Sequence, residues 1–162
     1  MSGKLTHLDG KGRASMVDVS GKPVTARVAR AEGRVRLNAA AFRAFADDRL
    51  AKGDAAAVVR LAGIQAAKRT DEWVPLCHAI PLDHLSIELE IDEEARTVHI
   101  VAEARARWST GVEMEALVAV SGACLALYDM TKALDRGITI EQVRLIEKSG
   151  GRAGHWKRSG DG

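Results

Sequence analysis

Apolar residues occupy every second position in two consecutive stretches near the middle of the chain. Leucine and isoleucine alternate with polar residues over 85–91, and a similar alternation returns over 98–104 after a polar stretch at 92–95. A period of two places alternate side chains on opposite faces of a strand. The pattern therefore predicts an antiparallel hairpin with one buried face.

Three further strands are predicted outside this hairpin. Val17 to Val19 and Val24 to Leu37 mix β-branched residues with alternating charges, which is typical of edge strands. A final strand is expected over 139–147.

Helical spacing and capping residues predict three helices. A short alanine-rich helix is expected over 39–50, and Asp54 is placed to cap a second helix over 55–70. Thr110-Gly111-Val112-Glu113 matches a capping box that would open a long helix ending near Asp135. The order of elements predicts an α+β domain with helices on one face of an antiparallel sheet.

Length and composition fit one globular domain. The 162 residues are 46% hydrophobic and 28% charged, which is ordinary for a folded chain of this size. We expect the domain to span 16–148, between flexible segments at 1–15 and at the glycine-rich 149–162. The net charge of +2 and the aromatic content of 4% argue against nucleic-acid binding.

The cysteines and the apolar segments predict a cytoplasmic protein. Cys77 and Cys124 lie in apolar surroundings, which favours a reducing compartment. No secretory signal is apparent at the N-terminus, and the apolar run over 116–128 is too short to span a membrane.

The long predicted helix has two faces. The first is expected to meet the sheet and comprises Met114, Leu117, Val120, Cys124, Leu127 and Leu134. On the second, small residues separate Glu115 from Asp129 and Lys132. Glu115 and Asp129 are about 21 Å apart along the axis and cannot share one small-molecule site within a chain. Our hypothesis is that a second copy packs against the small residues, so that Glu115 approaches the partner's acidic and basic pair.

Several basic residues fit an anionic ligand, and each has an ordinary structural alternative. Lys68 and Arg69 end a predicted helix, where they either balance its dipole or bind phosphate. Lys52 precedes a helix N-terminus, and Lys148 precedes two glycines. Both arrangements are weakly typical of phosphate sites.

His78 and three carboxylates are candidates for proton transfer. Pro75 and Pro81 bracket His78, which favours a proton-transfer or substrate-contact role over a structural one. The adjacent cysteine and histidine would point to opposite faces of an extended chain, so a metal site is not expected. Glu113 and Glu115 are either first-turn carboxylates or site residues. Asp129 either pairs with the lysine one turn on, or is buried with its pKa shifted towards acid–base use.

Six blocks in order along the chain resemble the cyclic pyranopterin monophosphate synthase family, the C proteins (MoaC) of molybdenum cofactor biosynthesis. The blocks are Met16–Ser20, Gly63–Thr70, Pro75–His78, Thr110–Leu117, Tyr128–Met130 with Lys132–Ala133, and Lys148–Gly151.

The resemblance implies a ferredoxin-like subunit, a homohexamer built as a trimer of dimers, and active sites at the dimer interface. It implies a lyase that rearranges 3′,8-cyclo-7,8-dihydroguanosine 5′-triphosphate into cyclic pyranopterin monophosphate and releases pyrophosphate. It implies no required cofactor and leaves open whether Mg²⁺ accompanies the triphosphate. The alternative function is a non-catalytic ferredoxin-like module that binds a nucleotide and regulates a partner.

The family's site is carried over onto matching positions of this chain. The implied catalytic residues are Lys52, Lys68, His78, Glu113, Glu115, Asp129 and Lys132. The implied substrate contacts are Leu76, Cys77, His78, Met114, Glu115 and Lys148, to which charge adds Arg27 and Arg69 as triphosphate contacts. Asp129 and Lys132 are expected to transfer protons, and no metal ligand is implied.

Overall fold

Five antiparallel strands form one sheet, and the helices pack on one of its faces. The computed structural model describes residues 11–152 and 154–159. The strands are β1 (Thr25–Arg36), β2 (His84–Asp92), β3 (Thr97–Trp108), β4 (Thr139–Ser149) and β5 (Trp156–Lys157), in the order β2-β3-β1-β4-β5. The helices are α1 (Ala39–Ala46), α2 (Ala55–Ala67), α3 (Thr70–Trp73) and α4 (Glu113–Thr131). The α+β, ferredoxin-like prediction is confirmed.

The predicted hairpin is confirmed as β2 and β3. The two strands pair antiparallel, with Leu85 opposite Ala104 and Ile91 opposite Val98. Ile100, Ala102 and Ala104 of β3 are fully buried beneath the helices. Period-two patterning therefore located this part of the sheet correctly.

The prediction of edge strands at the start of the chain is wrong in two respects. Residues 17–19 form no strand, and β1 lies at the centre of the sheet between β3 and β4. The charges on the outer face of β1 form ion pairs with neighbouring strands: Arg30 lies 3.7 Å from Glu103 and 3.9 Å from Glu147. A central strand can therefore carry the alternating charges that are typical of an edge.

Strand β5 lies within the segment predicted to be a flexible tail. It pairs with β4, Arg158 N donates to Ile146 O, and His155 lies 2.8 Å from Glu147. The predicted domain limits otherwise stay a prediction.

Side-chain capping explains the starts of α1 and α2. Asn38 Oδ1 accepts from the amides of Ala40 and Ala41, and Asp54 Oδ1 accepts from Ala57 N at 2.8 Å, as predicted. Helix α2 ends at Ala67, and the short α3 follows it.

The predicted capping box at the start of α4 is wrong. The N-cap is Val112, which makes no side-chain cap, and Glu113 is the first helical residue. The Glu113 carboxylate instead accepts from Lys148 on β4 at 2.8 Å. The helix ends at Thr131, and Asp135 beyond it accepts from the amides of Asn38 and Gly137.

Helix α4 is the central helix of the core. Val120, Cys124 and Leu127 are fully buried as predicted, whereas Leu134 lies beyond the helix and is exposed. A β-carbon on Gly33 of β1 would lie 2.6 Å from Val120 Cγ1, so glycine lets the helix approach the sheet closely. The helix is long and apolar enough to cross a membrane, but 61% of its 18-residue apolar stretch is buried inside this fold.

The small residues of α4 pack against α2 of the same chain. A β-carbon on Gly122 would lie 2.5 Å from Ala66 Cβ, and one on Gly63 would lie 3.0 Å from the carbonyl oxygen of Ala119. The expectation that Ala119 and Gly122 await a helix from another subunit is therefore wrong. The short side chains serve the close contact of α2 with α4.

On the outer face of the sheet, Glu32 is expected to make stability depend on pH. Burial raises the pKa of Glu32, but hydrogen bonds with Arg144 at 2.6 Å and His99 at 2.8 Å outweigh it and hold the pKa below 4.5. Ionised Glu32 therefore stabilises the fold above pH 4.5, and this contribution is lost as pH falls through the folded-state pKa.

Glu32→Gln is expected to lower the free energy of unfolding at pH 7 by about 1.5–3 kcal/mol, because it weakens two hydrogen bonds to a charged group. Urea unfolding at pH 7 and pH 4 measures this, and the loss is expected to shrink at pH 4. Glu88→Gln on the exposed side of β2 is the control. Equal losses in both variants would contradict the prediction.

Candidate active site

A cavity of about 360 Å³ opens between the first turn of α4 and the proline-bracketed segment; we call it the carboxylate cavity. It brings together six of the predicted site residues, which are Leu76, Cys77, His78, Glu113, Met114 and Glu115. Lys22, Thr110 and Gly111 also line it.

The proline-bracketed segment is placed by its own turn. Pro75 and Leu76 form a turn in which Cys77 N donates to Val74 O at 2.9 Å, and the chain then continues without regular secondary structure to Pro81. Proline fixes the backbone angle at each end of the segment. This local geometry holds three consecutive side chains against the start of α4.

Glu115 is the strongly perturbed acid of this cavity. The residue is only 2% exposed. Burial raises its pKa from 4.5 to about 7, the negative charges of Glu113 and Asp71 add to the rise, and a hydrogen bond with its own backbone opposes it. A carboxyl that titrates near neutral pH can both donate and accept a proton.

Cys77 is held as a thiol rather than a thiolate. Burial raises its pKa above 9.0, and the charges of Glu115 and Asp71 raise it further. Its thiol is therefore a weak nucleophile at neutral pH and serves as a contact surface. Within 11–152 and 154–159, no group of three or more His, Cys, Asp or Glu is arranged to hold a metal ion.

Lys148 reaches the site through Glu113. Its ammonium donates to Glu113 Oε1 at 2.8 Å. A β-carbon on Gly111 would overlap the Glu113 carboxylate, so glycine at this position leaves room for the ion pair. The pair joins β4 to the start of α4.

A second opening, of about 250 Å³, reaches Glu115 and His78 from the side of α2. Lys68 and Asp71 line it. Lys68, at the C-cap of α2, therefore lies in the same region as the carboxylate cavity.

A cavity of about 410 Å³, the cationic cavity, adjoins the carboxylate cavity. Lys22, Arg27 and Arg152 supply its charged side chains. It shares Lys22, Thr110 and Gly111 with the carboxylate cavity. Of these cations, sequence reasoning selected only Arg27.

Lys52, Asp129 and Lys132 form a separate cluster near the other end of α4. Asp129 Oδ1 lies 2.6 Å from Lys132 Nζ, and Oδ2 lies 2.9 Å from Lys52 Nζ. Glu115 lies 14 residues earlier on the helix, which is about 21 Å along its axis. The predicted separation of the two ends within one chain is confirmed.

The expectation that burial shifts Asp129 towards neutral pH is wrong for the single chain. Its side chain is 58% exposed. Hydrogen bonds from Lys132 and Lys52, and their positive charges, lower its pKa to about 2. The pKa of Lys132 is raised in turn by its bond to Asp129. The cluster is therefore ionised at neutral pH, and its part in proton transfer stays a prediction.

Arg69 is not brought to the cationic cavity. It lines a surface groove between α2 and α4 together with Trp73, Gly122 and Leu125. The structure therefore separates the two arginines that charge alone suggested as triphosphate contacts.

Three residues were missed by sequence reasoning: Lys22, Asp71 and Arg152. Lys22 stands in a Gly-Lys-Pro turn, and Arg152 follows two glycines, so both carried the signal of a cation in a turn. The two turns are far apart in the sequence and meet only in the folded protein, beside β1 and the end of β3. Local sequence patterns therefore could not predict that they share one cavity.

Comparison with known proteins points to one family. A model of the MoaC family matches residues 16–151. The cyclic pyranopterin monophosphate synthase of Parvibaculum lavamentivorans is 54% identical over 95% of this chain and 96% of its own length. The cyclic pyranopterin monophosphate synthase of Thermomicrobium roseum is 51% identical over 98% of this chain and 95% of its own length. Molybdenum cofactor biosynthesis protein 1 of Mus musculus is 50% identical over 98% of this chain and 25% of that protein.

Proposed function

The chain belongs to the MoaC family, and from that premise we propose that it is a cyclic pyranopterin monophosphate synthase. It is a lyase of molybdenum cofactor biosynthesis that converts 3′,8-cyclo-7,8-dihydroguanosine 5′-triphosphate into cyclic pyranopterin monophosphate and pyrophosphate. The observation that carries the proposal is a buried acid with its pKa near 7 in a cavity that adjoins a cationic one.

The two adjoining cavities fit the two ends of such a substrate. The carboxylate cavity offers Glu115 and His78 to the ring system, where proton transfers open one ring and close another. The cationic cavity offers Arg27 to the triphosphate, whose charge grows as pyrophosphate leaves. The substrate bridges the shared wall formed by Thr110 and Gly111.

The site as a whole consists of two half-sites. The first half-site comprises Lys68, Leu76, Cys77, His78, Glu113, Met114, Glu115 and Lys148; the second comprises Lys52, Asp129 and Lys132. Two lysines held by Asp129 are suited to offset developing negative charge. We assign that role to Lys52 and Lys132, and the acid–base role near neutral pH to Glu115.

A two-fold dimer formed through the exposed surface of α2 and α4, with the two α4 helices antiparallel across it, would unite the half-sites. Residue 122 is midway between Glu115 and Asp129, so a two-fold axis that passes α4 at this level brings Glu115 of one protomer towards the partner's Asp129. The apolar side chains around this point are exposed in the single chain; they are Val58, Leu61, Trp73 and Leu125. Exposed apolar residues concentrated there support dimerisation through α2 and α4.

Leu125→Glu is expected to yield a folded monomer with no measurable turnover, because a charge in the dimer contact is not compensated. Leu125 is 53% exposed in the single chain, so its replacement leaves the core intact. Size-exclusion chromatography with light scattering measures the assembly, and circular dichroism checks the fold.

Ile91→Glu is the matched control, since Ile91 is 47% exposed at the far end of β2. It is expected to keep the wild-type assembly and turnover. A fully active Leu125→Glu monomer would contradict the dimer site.

The remaining proposals come from the family resemblance. We propose a homohexamer arranged as a trimer of dimers, a cytoplasmic location and no required cofactor. Turnover measured with excess EDTA tests whether Mg²⁺ must accompany the triphosphate.

The decisive experiment supplies purified protein with the cyclic dihydro-GTP derivative and measures both pyrophosphate and pterin product. Release by the wild type and its loss in Asp129→Ala would support the synthase. Well-folded protein that releases no pyrophosphate would contradict it and favour the regulatory module. A thermal-shift screen of common nucleotides would then identify the ligand.

A further inference from the structure

Arg27 is held firmly in the wall of the cationic cavity. Its Nε donates to Trp108 O at 3.2 Å, and its Nη2 donates to Ser109 O at 3.3 Å. Both carbonyls belong to the segment that leaves β3. One edge of the guanidinium is therefore bound to the backbone, and the rest of its planar fork remains for a ligand.

A turn of two glycines covers Arg27 from the side of β4. Gly150 and Gly151 both have positive φ, at 97° and 69°. A β-carbon on Gly150 would overlap the carbonyl oxygen of Ala26, and one on Gly151 would overlap the Arg27 guanidinium at Nη1. Glycine is therefore required here for both backbone conformation and close approach.

We propose that the Gly150-Gly151 turn is a positioning element that fixes the Arg27 guanidinium as the polyphosphate-binding group of the cationic cavity, with Lys22 and Arg152 as its further cations. This inference rests on the proposed function and adds residues to its site. Gly151 also lines the cationic cavity, and we assign its effect to the position it gives Arg27.

The charges of the cavity support a polyanionic ligand. Lys22, Arg27 and Arg152 converge on it, and its described lining contains no carboxylate. Lys22 also interacts with the charge of Asp18, at a turn closed by Ser20. Three cations with one carboxylate nearby leave a net positive charge for phosphate.

An unpartnered hydroxyl supports the same ligand. Thr25 lines the cationic cavity, and its buried Oγ1 has no hydrogen-bond partner within the described part of the chain. A buried polar atom in a folded protein normally has a partner. Because this oxygen is closed to solvent in the protein alone, it would donate to a phosphate oxygen only after the Thr25 side chain rotates towards the cavity.

Gly151→Ala tests the positioning role against Gly154→Ala. The two glycines have similar φ values of 69° and 64°, but a β-carbon on Gly154 would meet nothing within 4 Å. Backbone strain is therefore matched, and only Gly151→Ala displaces Arg27. Calorimetry with inorganic pyrophosphate is the direct measurement, and it needs no turnover.

Gly151→Ala is expected to weaken pyrophosphate binding by about tenfold or more, the effect of a lost hydrogen bond to a charged group. KM for the triphosphate substrate is expected to rise by a similar factor while kcat changes little. Gly154→Ala is expected to bind and turn over like the wild type. Equal effects in both variants would overturn the positioning role.

Substitutions of Arg27 provide two further, independent tests of the proposal. In an Arg27→Ala background, Gly151→Ala is expected to cause no further loss of binding, and an additive loss would overturn the coupling. Arg27→Lys keeps the positive charge but loses the planar guanidinium that is held by the backbone carbonyls. It should therefore weaken pyrophosphate binding without altering the Gly150-Gly151 turn. Wild-type affinity in Arg27→Lys would overturn the proposal even if Gly151→Ala fails to fold.

Failure of this inference is distinguishable from failure of the proposed function. Pyrophosphate binding that depends on Gly151 in a protein without synthase turnover would reject the function and retain the positioned subsite. Normal turnover with pyrophosphate binding indifferent to Gly151 and Arg27 would reject the subsite alone.

Discussion

Two inactive variants are expected to recover activity when their subunits are mixed. Asp129→Asn and Glu115→Gln should each lower kcat by about 10²- to 10⁴-fold, the usual contribution of an acid–base or charge-stabilising group. After joint unfolding and refolding, random pairing should restore about a quarter of the wild-type rate. Steady-state turnover of the mixture against each variant alone measures the recovery.

The recovery follows from the distribution of half-sites between subunits. In a mixed dimer, one site combines both substitutions, and the other combines two unaltered half-sites. About half of randomly formed dimers are mixed, and half of the sites in each are intact. The distance of about 21 Å between the two residues prevents a single chain from building such a site.

The control pairs Glu115→Gln with His78→Ala, since both residues line the carboxylate cavity. Every site of that mixed dimer contains one defective half-site, so no recovery is expected. Recovery in the control, or its absence in the test pair, would contradict a site shared between subunits.

The sheet was predictable wherever one face of a strand is buried. The β2–β3 hairpin follows from strict alternation, because a register shift of one residue would expose its whole apolar face. The central place of β1 was not predictable, since its outward-facing Arg30 and Glu32 form ion pairs with β3 and β4. Two-residue β5 has no periodicity to detect.

The site was predictable in its residues but not in its electrostatics. The motifs identified Glu113, Glu115 and Asp129, yet Glu113 was assigned to a cap that the structure replaces with Lys148, 35 residues away. The pKa of Asp129 was expected to rise through burial. Instead, two lysines lower it to about 2, one of them 77 residues distant. Long-range partners of this kind leave no trace in local spacing.

The two ends of α4 therefore carry carboxyls of opposite character. Burial raises the pKa of Glu115 to about 7, and ion pairs lower that of Asp129 to about 2. Groups whose pKa values are pushed apart can divide acid–base work and charge stabilisation between them. This division supports Glu115, rather than Asp129, as the group that exchanges protons near neutral pH.

Glu115→Gln is accordingly expected to lower kcat by about 10²- to 10⁴-fold and yet stabilise the fold at alkaline pH. The folded-state pKa of Glu115, about 7, lies above the unfolded value of 4.5. Its contribution to stability is therefore fully present below pH 4.5 and is lost as pH rises through about 7. At pH 8 the buried, ionised carboxylate costs up to about 3 kcal/mol, which the neutral amide does not incur.

Urea unfolding at pH 4 and pH 8 measures this effect. The Leu125→Glu background is used because it is expected to be monomeric, so that no lysine of a partner subunit lies near Glu115. The Glu115→Gln variant is expected to exceed its parent in stability at pH 8 and to match it at pH 4. Glu88→Gln in the same background is the control, because Glu88 is exposed and its replacement should change neither value. A Glu115→Gln protein that is less stable at pH 8 would show that the carboxylate is ionised and satisfied in the fold. Its assignment as the acid–base group near neutral pH would then fail.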